Sequence, residues 1–357
     1  YIKLQFIMPS FEIIKVLVLT TIAFALSMML TPAWTHFLFK YKLVKTVRDD
    51  GTSPIFSKLH KGKSGTPTMG GVLIWLTVLI LAGGFWLIHI FWPDSTLAGF
   101  DFLTREETYL PLGALVASAI VGLVDDWFNV TRQGGGKGGG LTVKHRLFIY
   151  TLIALFGAWW FYFKLDWDVV RVPFLGVFEL GWWFIPFFVF ILVATAFSVN
   201  EADGLDGLAG GIVLAAFASY GTIAFVQGNY NMAAFCGVIS GALLSFLWFN
   251  INPARFFMGD TGAMSLGIVL GIVAMLTGYP LLLPIIGFLL LLESLSVIIQ
   301  LLSKKFRGKK VFLSAPIHHH FEAQGWPETK IVMRFWVIAG VFAVLGLILA
   351  IIDLSLW

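Results

Sequence analysis

Residues 69–92 read Met69-Gly-Gly-Val-Leu-Ile-Trp-Leu-Thr-Val-Leu-Ile-Leu-Ala-Gly-Gly-Phe-Trp-Leu-Ile-His-Ile-Phe-Trp92, with no Lys, Arg, Asp or Glu anywhere in the run. A helix needs roughly 20 mostly apolar residues to cross a bilayer, and this stretch meets that length. Nine further runs read the same way, at 12–33, 109–124, 147–163, 183–199, 208–226, 232–249, 263–277, 281–302 and 335–354. Composition agrees: 58% of the 357 residues are hydrophobic and 12% charged, about half the charge of a soluble domain. The 35 Phe and 14 Trp suit lipid contact and interfacial belts. A soluble enzyme, a disordered chain and a disulfide scaffold are excluded. The single Cys, Cys236, lies in an apolar run and reads as a small core residue.

The fold expected is an all-α integral membrane protein of about ten transmembrane helices, one polytopic domain over 1–357 with no long linker and no internal repeat. The first apolar run is long enough to span, so no cleavable signal peptide is expected. Of the 24 Lys and Arg, 19 fall in the alternate loops at 40–67, 125–146, 200–207, 250–262 and 303–334. By the positive-inside rule those loops face the cytoplasm and both termini lie outside. Among the outer loops, Asp166–Gly181 alternates Val, Pro and Gly like a hairpin and predicts a small β-ribbon. The other, from Pro93 to Thr108, reads as a solvated acidic face.

The unusual polar residues gather on the inner side. Asp125 and Asp126 close the third run; Asn200, Asp203 and Asp206 follow the fifth; Asn250 and Asp260 bracket the loop after the seventh; His318, His319 and His320 lie in the last inner loop. Carboxylates and amides without Cys favour a hard cation such as Mg²⁺ or Mn²⁺ over zinc. Lys63, Lys144, Arg146 and Arg255 stand beside them and suit phosphate oxygens, so the cluster reads as a phosphoryl-transfer site in a cleft at the inner face. Each piece alone has a plain reading, as a helix end, a turn or a surface tract. Glu293 is the exception, an ionisable residue inside an apolar run and so a functional candidate by default; Gln300, two turns on, is better placed to meet a ligand. The run Gly134–Gly140 lacks the context of a phosphate-binding P-loop and reads as a flexible loop or lid.

Several segments together resemble the phospho-N-acetylmuramoyl-pentapeptide transferases, within the wider polyprenyl-phosphate sugar-1-phosphate transferases. They are Gly65-Thr-Pro-Thr-Met-Gly-Gly71, Val124-Asp-Asp126, Asp203-Gly-Leu-Asp-Gly-Leu-Ala209, Asn250 to Asp260, Ala315-Pro-Ile-His-His-His-Phe-Glu322 and Gly325 to Trp336. The resemblance implies transfer of phospho-N-acetylmuramoyl-pentapeptide from its UDP-linked form to undecaprenyl phosphate, with release of UMP, in the bacterial cytoplasmic membrane. It implies Mg²⁺ at Asp260, and Asp125 at the position proposed to deprotonate the lipid phosphate, with Asp126 beside it. Asp203, Asp206, His318, His319 and His320 match further catalytic positions. Lys63, Thr68, Lys144, Arg146, Asn200, Asn250 and Gln300 match polar positions around the cleft; Gly204, Leu205 and Phe257 match the uridine surroundings. A homodimer and no nucleic-acid partner are also implied. Two departures stand out: Asn200-Glu201-Ala202 replaces the commoner Asn-Leu-Thr, and Gly134–Gly140 lengthens the loop after Asp126. A sister transferase acting on UDP-N-acetylglucosamine and a lipid transporter are the alternatives.

Overall fold

The computed structural model describes residues 2–44, 65–104, 108–135 and 139–356, with side chains from Ser10 onward. The helices are α1 (Ile2–Lys40), α2 (Val72–Phe91), α3 (Tyr109–Thr131), α4 (Val143–Lys164), α5 (Phe184–Ala202), α6 (Leu208–Val226), α7 (Tyr230–Asn250), α8 (Gly259–Leu276), α9 (Leu283–Ile286), α10 (Phe288–Arg307), α11 (Ile317–Ala323) and α12 (Glu328–Leu356). Among the described residues nine helices are long and apolar enough to cross a membrane, or ten if one bent pair counts as a single span. Lys63, Arg105, Glu106, Glu107 and part of the Gly134–Gly140 run lie outside the described residues.

The helices outrun the apolar runs that predict them. α3 continues to Thr131, so Asp125 and Asp126 sit in its last two turns rather than in a loop, and Asn200 and Asn250 likewise lie on α5 and α7. Hydropathy marks where a helix crosses hydrocarbon; the helix itself ends where a cap or a left-handed residue stops it, as Arg132 does at φ 57°. The run 281–302 is not one straight span: the chain bends by 85° between Pro280–Ile286 and Phe288–Arg307. Pro280 and Pro284 each remove a backbone donor and split this stretch into short pieces, and Gly287 makes the turn.

At the centre stands α8, in which every residue from Gly259 to Leu276 is buried. It packs on α3 and α5 most extensively and touches α2, α4 and α6 as well. A helix enclosed on all sides must be apolar and slim, and α8 answers with Gly262, Gly267 and Gly271 among Ala, Leu, Ile and Val. Cys236 is a buried free thiol on α7, as its apolar setting predicts.

The predicted ribbon forms as two antiparallel strands, β1 (Val169–Val172) and β2 (Gly176–Glu179), with Val169 opposite Glu179 and Val172 opposite Gly176. It is tied to the far end of α12. Arg171 Nη1 lies 3.0 Å from the Tyr279 hydroxyl and 3.2 Å from Asp353 Oδ2, while that hydroxyl donates to Asp353 Oδ2 at 2.7 Å. The Phe174 amide donates to Asp353 Oδ1 at 2.6 Å. Burial, and then the bond to Asp353, push the Tyr279 hydroxyl up to about 12. The acidic loop is also more than a solvated face: buried Lys15 donates to the Asp101 carbonyl at 2.6 Å and to Asn231 Oδ1 at 2.9 Å. Asp353→Ala removes the carboxylate that ties the partly exposed Arg171 and the Phe174 amide to α12. A lowered thermal midpoint with unchanged helical circular dichroism is the expected result.

Candidate functional site

The site is built on the N-terminus of α8. Its first turn carries Asp260, where a negative charge meets the positive end of the helix dipole. The Thr261 amide donates to Asp126 Oδ2 at 3.0 Å and Thr68 Oγ1 donates to Asp126 Oδ1 at 3.4 Å. Asp126 thus caps α8 from the neighbouring helix α3 and fixes where Asp260 begins. A short ladder holds the same corner: Phe257 N donates to Pro67 O, Gly70 N to Phe257 O and Gly71 N to Met258 O, all at 2.8 Å. The Gly65–Gly71 motif therefore works through its backbone as well as through Thr68.

Arg146, on α4, binds the acidic groups together. Its Nη2 lies 2.7 Å from Asp125 Oδ2 and 3.0 Å from Asp260 Oδ2, and its Nη1 donates to Asn200 Oδ1 at 3.1 Å. Asn200 in turn donates to Asp260 Oδ1 at 2.7 Å, and Asn129 donates to Asp260 Oδ2 at 3.4 Å. Asp125 and Asp126 are fully buried and Asp260 nearly so. Side by side these carboxylates would repel one another, so the guanidinium is the charge that lets them coexist. Its Nε–H is buried without a protein partner, a donor left over for an anion.

The Gly-rich run reaches into this cluster at its end. Gly139 and Gly140 are buried at φ +93° and +78°, and a side chain on Gly140 would strike Asn129. That left-handed path brings the Leu141 amide to Asp125 Oδ1 at 2.5 Å. The described end of the run is thus packed on the site rather than a free lid. Lys144 is exposed two residues before Arg146, which turns inward.

A second group lashes the Asp203–Gly207 turn to its neighbours. Asp206 Oδ2 accepts from Asn252 Nδ2 at 3.0 Å and from Ala254 N at 3.1 Å. Glu328, at the start of α12, accepts from Asp206 N at 2.7 Å and from Asn252 at 3.1 Å. Asn250 accepts from Gly207 N at 2.9 Å and donates to Phe256 O at 2.8 Å, so its amide ties the turn to the loop that follows α7. Leu205 is buried, whereas Asp203, Gly204 and Phe257 are half-buried.

The third group is the histidine helix α11. His318 Nδ1 lies 2.9 Å from Glu293 Oε2 on α10, and His319 Nδ1 lies 2.6 Å from Glu322 Oε2. Burial opposes charge on His318, but Glu293, helped by Glu322 and Glu201, more than offsets it and raises its pKa. His320 faces the other way, accepting from the Leu313 amide at 3.1 Å. Gln300 holds the same loop: its side chain bonds Phe312 O at 2.9 Å, Val311 N at 2.9 Å and Phe312 N at 3.0 Å. α10 is inverted in its amphipathicity, with Glu293, Ser294, Ser296, Gln300 and Ser303 buried and Leu295, Ile298, Ile299, Leu301 and Leu302 exposed.

The structure thus brings Thr68, Asp125, Asp126, Arg146, Asn200 and Asp260 into one cluster, with the Asp206–Asn250 and His318–His319 groups contributed by the adjoining loops. Asn129, Asn252, Glu322 and Glu328 join them as partners that the sequence reading does not assign, together with Glu293, which it singles out without a partner. Asn129 had a signal: it lies four residues after Asp125, on the same helical face. Glu328 lies in the matching segment Gly325–Trp336, but nothing local connects the start of α12 to Asp206.

The glycosyl transferase family 4 model matches residues 109–278, and the phospho-N-acetylmuramoyl-pentapeptide-transferase signature 1 matches residues 63–74. A phospho-N-acetylmuramoyl-pentapeptide-transferase of Chloroflexus aggregans is 37% identical over 354 residues, covering 96% of this chain and 91% of its own. The chain belongs to the phospho-N-acetylmuramoyl-pentapeptide-transferase family. Proteins of that name from Anoxybacillus flavithermus (38% over 335 residues, 93% of this chain and 97% of its own) and Clostridium novyi (37% over 328 residues, 91% and 94%) are similar to it over nearly the same span. In this transferase the signature segment is the one whose backbone ladder grips residues 257–258, ahead of Asp260.

Close helix contact is what sets the aspartates side by side. A Cβ on Gly122 of α3 would lie 2.4 Å from the Asp260 carbonyl oxygen. Gly122→Ala must therefore push α3 away from α8 and separate Asp125 from Asp260. We expect a lower thermal midpoint together with a loss of activity larger than that of Gly113→Ala, where the added methyl meets nothing within 4 Å.

Proposed function

We propose that the chain transfers phospho-N-acetylmuramoyl-pentapeptide from its UDP-linked form to undecaprenyl phosphate, yielding the lipid-linked product and UMP. The observation that carries this reading is the convergence of Asp125, Asp260 and Asn200 on one buried guanidinium with a spare Nε–H, in a chain of this family. Two anionic substrates must meet there, and a planar cation ringed by fixed carboxylates and amides suits the task of gripping phosphate oxygens.

The same oxygens suit Mg²⁺. Among the described residues no three of His, Cys, Asp or Glu are set to hold a metal by themselves. Mg²⁺ commonly takes one or two carboxylates and completes its shell with substrate phosphates and water, which Asp260 with Asp125 can offer. When bound, the ion neutralises pyrophosphate charge and stabilises the departing phosphate. Asn200 and Asn129 hold the Asp260 carboxylate in place, and Arg146 shields it from Asp125. Asp125, gripped by Arg146 and the Leu141 amide, orients the attacking lipid phosphate. A phosphate monoester is already mostly ionised at neutral pH, its second pKa being about 6, so orientation matters more than proton removal.

The cluster faces the end of the bundle whose loops carry most of the Lys and Arg, which supports a cytoplasmic active site, both termini outside and a multi-pass inner-membrane location. A polyprenyl chain then stays in lipid while the nucleotide enters from water. A homodimer is the proposed assembly. Glu293, the functional candidate inside an apolar run, is paired with His318 beside the other polar groups.

Purified protein in detergent, given undecaprenyl phosphate and UDP-N-acetylmuramoyl-pentapeptide, should release UMP only when both the lipid and Mg²⁺ are present. Turnover with UDP-N-acetylglucosamine instead would transfer the chain to the sister activity. Asp260→Ala should abolish Mg²⁺ activation, and Asp125→Asn should lower kcat more than it raises KM. Unchanged Mg²⁺ dependence in the first, or near-native kcat in the second, would overturn those roles.

A further inference from the structure

Glu293 is a fully buried ionisable residue on the polar inner face of α10, and the transfer chemistry above makes no use of it. Its Oε2 lies 2.9 Å from His318 Nδ1, and both side chains are fully buried. The opposite edge of the same ring, Nε2, has no protein partner. A Cβ built on Gly204 would lie 2.3 Å from that Nε2, so the ring edge abuts the turn that carries Asp203 and Asp206. The chain therefore runs from α10 through one imidazole to the backbone of the Asp203–Gly207 turn.

We propose that Glu293 is a positioning residue of the transferase: through Nδ1 it fixes the ring of His318, whose Nε2 edge sets the Asp203–Gly204–Leu205–Asp206 turn in its working conformation. The role rests on the functional reading given above. A carboxylate that accepts from Nδ1–H fixes the ring's orientation and favours a proton on each nitrogen, as carboxylates behind ligand histidines do. The charge facing the ring supports this. Glu293 presents from α10, Glu322 and the His319 ring, 4.0 Å away, from α11, and Glu201 from the end of α5. Three carboxylates and one imidazole surround it, and the carboxylates raise its pKa against the cost of burial. Glu201, one of the two departures from the family pattern, adds to that field. The pair also explains the smallness of residue 204, because any side chain there would enter the space of the ring.

The account separates orientation from charge. Glu293→Gln keeps an acceptor oxygen for Nδ1–H but removes the charge, whereas Glu293→Asp keeps the charge on a shorter arm. With the ring cationic in the working enzyme, activity falls as pH rises through the His318 pKa. Loss of the Glu293 charge lowers that pKa, so the alkaline limb of kcat/KM for the UDP-linked substrate must move to lower pH. We expect Glu293→Gln to shift that limb by about one pH unit and so to reduce kcat/KM up to about tenfold on its alkaline side, with Glu293→Asp restoring the limb. Leu290→Ala, which opens space on the same helix, should lower the thermal midpoint and leave the limb in place.

A second readout needs no turnover. In protein labelled with ¹⁵N-histidine, one resonance, assigned by its loss in His318→Gln, should carry imidazolium shifts at pH 7.5 in the native chain and neutral-ring shifts in Glu293→Gln. A neutral ring in both proteins overturns the proposal, as does an unmoved pH limb in folded Glu293→Gln. Imidazolium shifts in a protein that releases no UMP would instead overturn the transferase reading while leaving the Glu293–His318 pair intact.

Discussion

The Arg146 guanidinium between Asp125 and Asp260 is the contact on which the site depends. Each carboxylate is removed from water, and two buried negative charges brought this near to one another are tolerated only if a cation stands between them. The cation belongs to α4, one carboxylate to α3 and the other to α8, so the interaction also determines how three helices meet. Asn200 closes the ring from α5 by bonding both Arg146 and Asp260.

That arrangement is possible because α8 is enclosed along its whole length. A buried helix has nowhere to move, and its N-terminal dipole is presented at a fixed depth to whatever lies beyond Gly259. Asp126 caps it from α3 while the signature segment pins the preceding strand of chain. Asp126 and Asp125 are sequence neighbours with different duties: one satisfies a helix end, and the other faces the guanidinium. On the far side of the bundle, Arg171, Tyr279 and Asp353 use the same physics for a purely architectural purpose, tying the β-ribbon to α12.

Much of this was legible in the residues. The apolar runs mark the crossing helices, since hydrocarbon accepts little else, and the Val, Pro and Gly alternation marks the ribbon. The gathering of Asp125, Asn200 and Asp260 could be read because polar groups at helix ends stand out against such a background. What stayed hidden were the long-range partners. Nothing near Arg146 in sequence distinguishes a residue that points inward from Lys144, which stays exposed; only the packing of α4 on α5 decides it. Gln300 illustrates the opposite limit: its position favours a ligand, yet its amide is spent on the 311–312 backbone. The break at Gly287 was hidden for a different reason, since hydropathy is blind to the direction of the axis.

The central claim is that Arg146 is the counter-charge that allows Asp125 and Asp260 to share one site. A double-mutant cycle on thermal stability, pairing Arg146→Gln with Asp260→Asn in Mg²⁺-free detergent buffer, tests it most directly. Groups in one buried ionic network couple by about 0.5–3 kcal/mol, so the double variant should be clearly less destabilised than the sum of the single ones. Losses that add to within about 0.5 kcal/mol would mean that the two side chains act independently, and the account of the site built on their contact would fail.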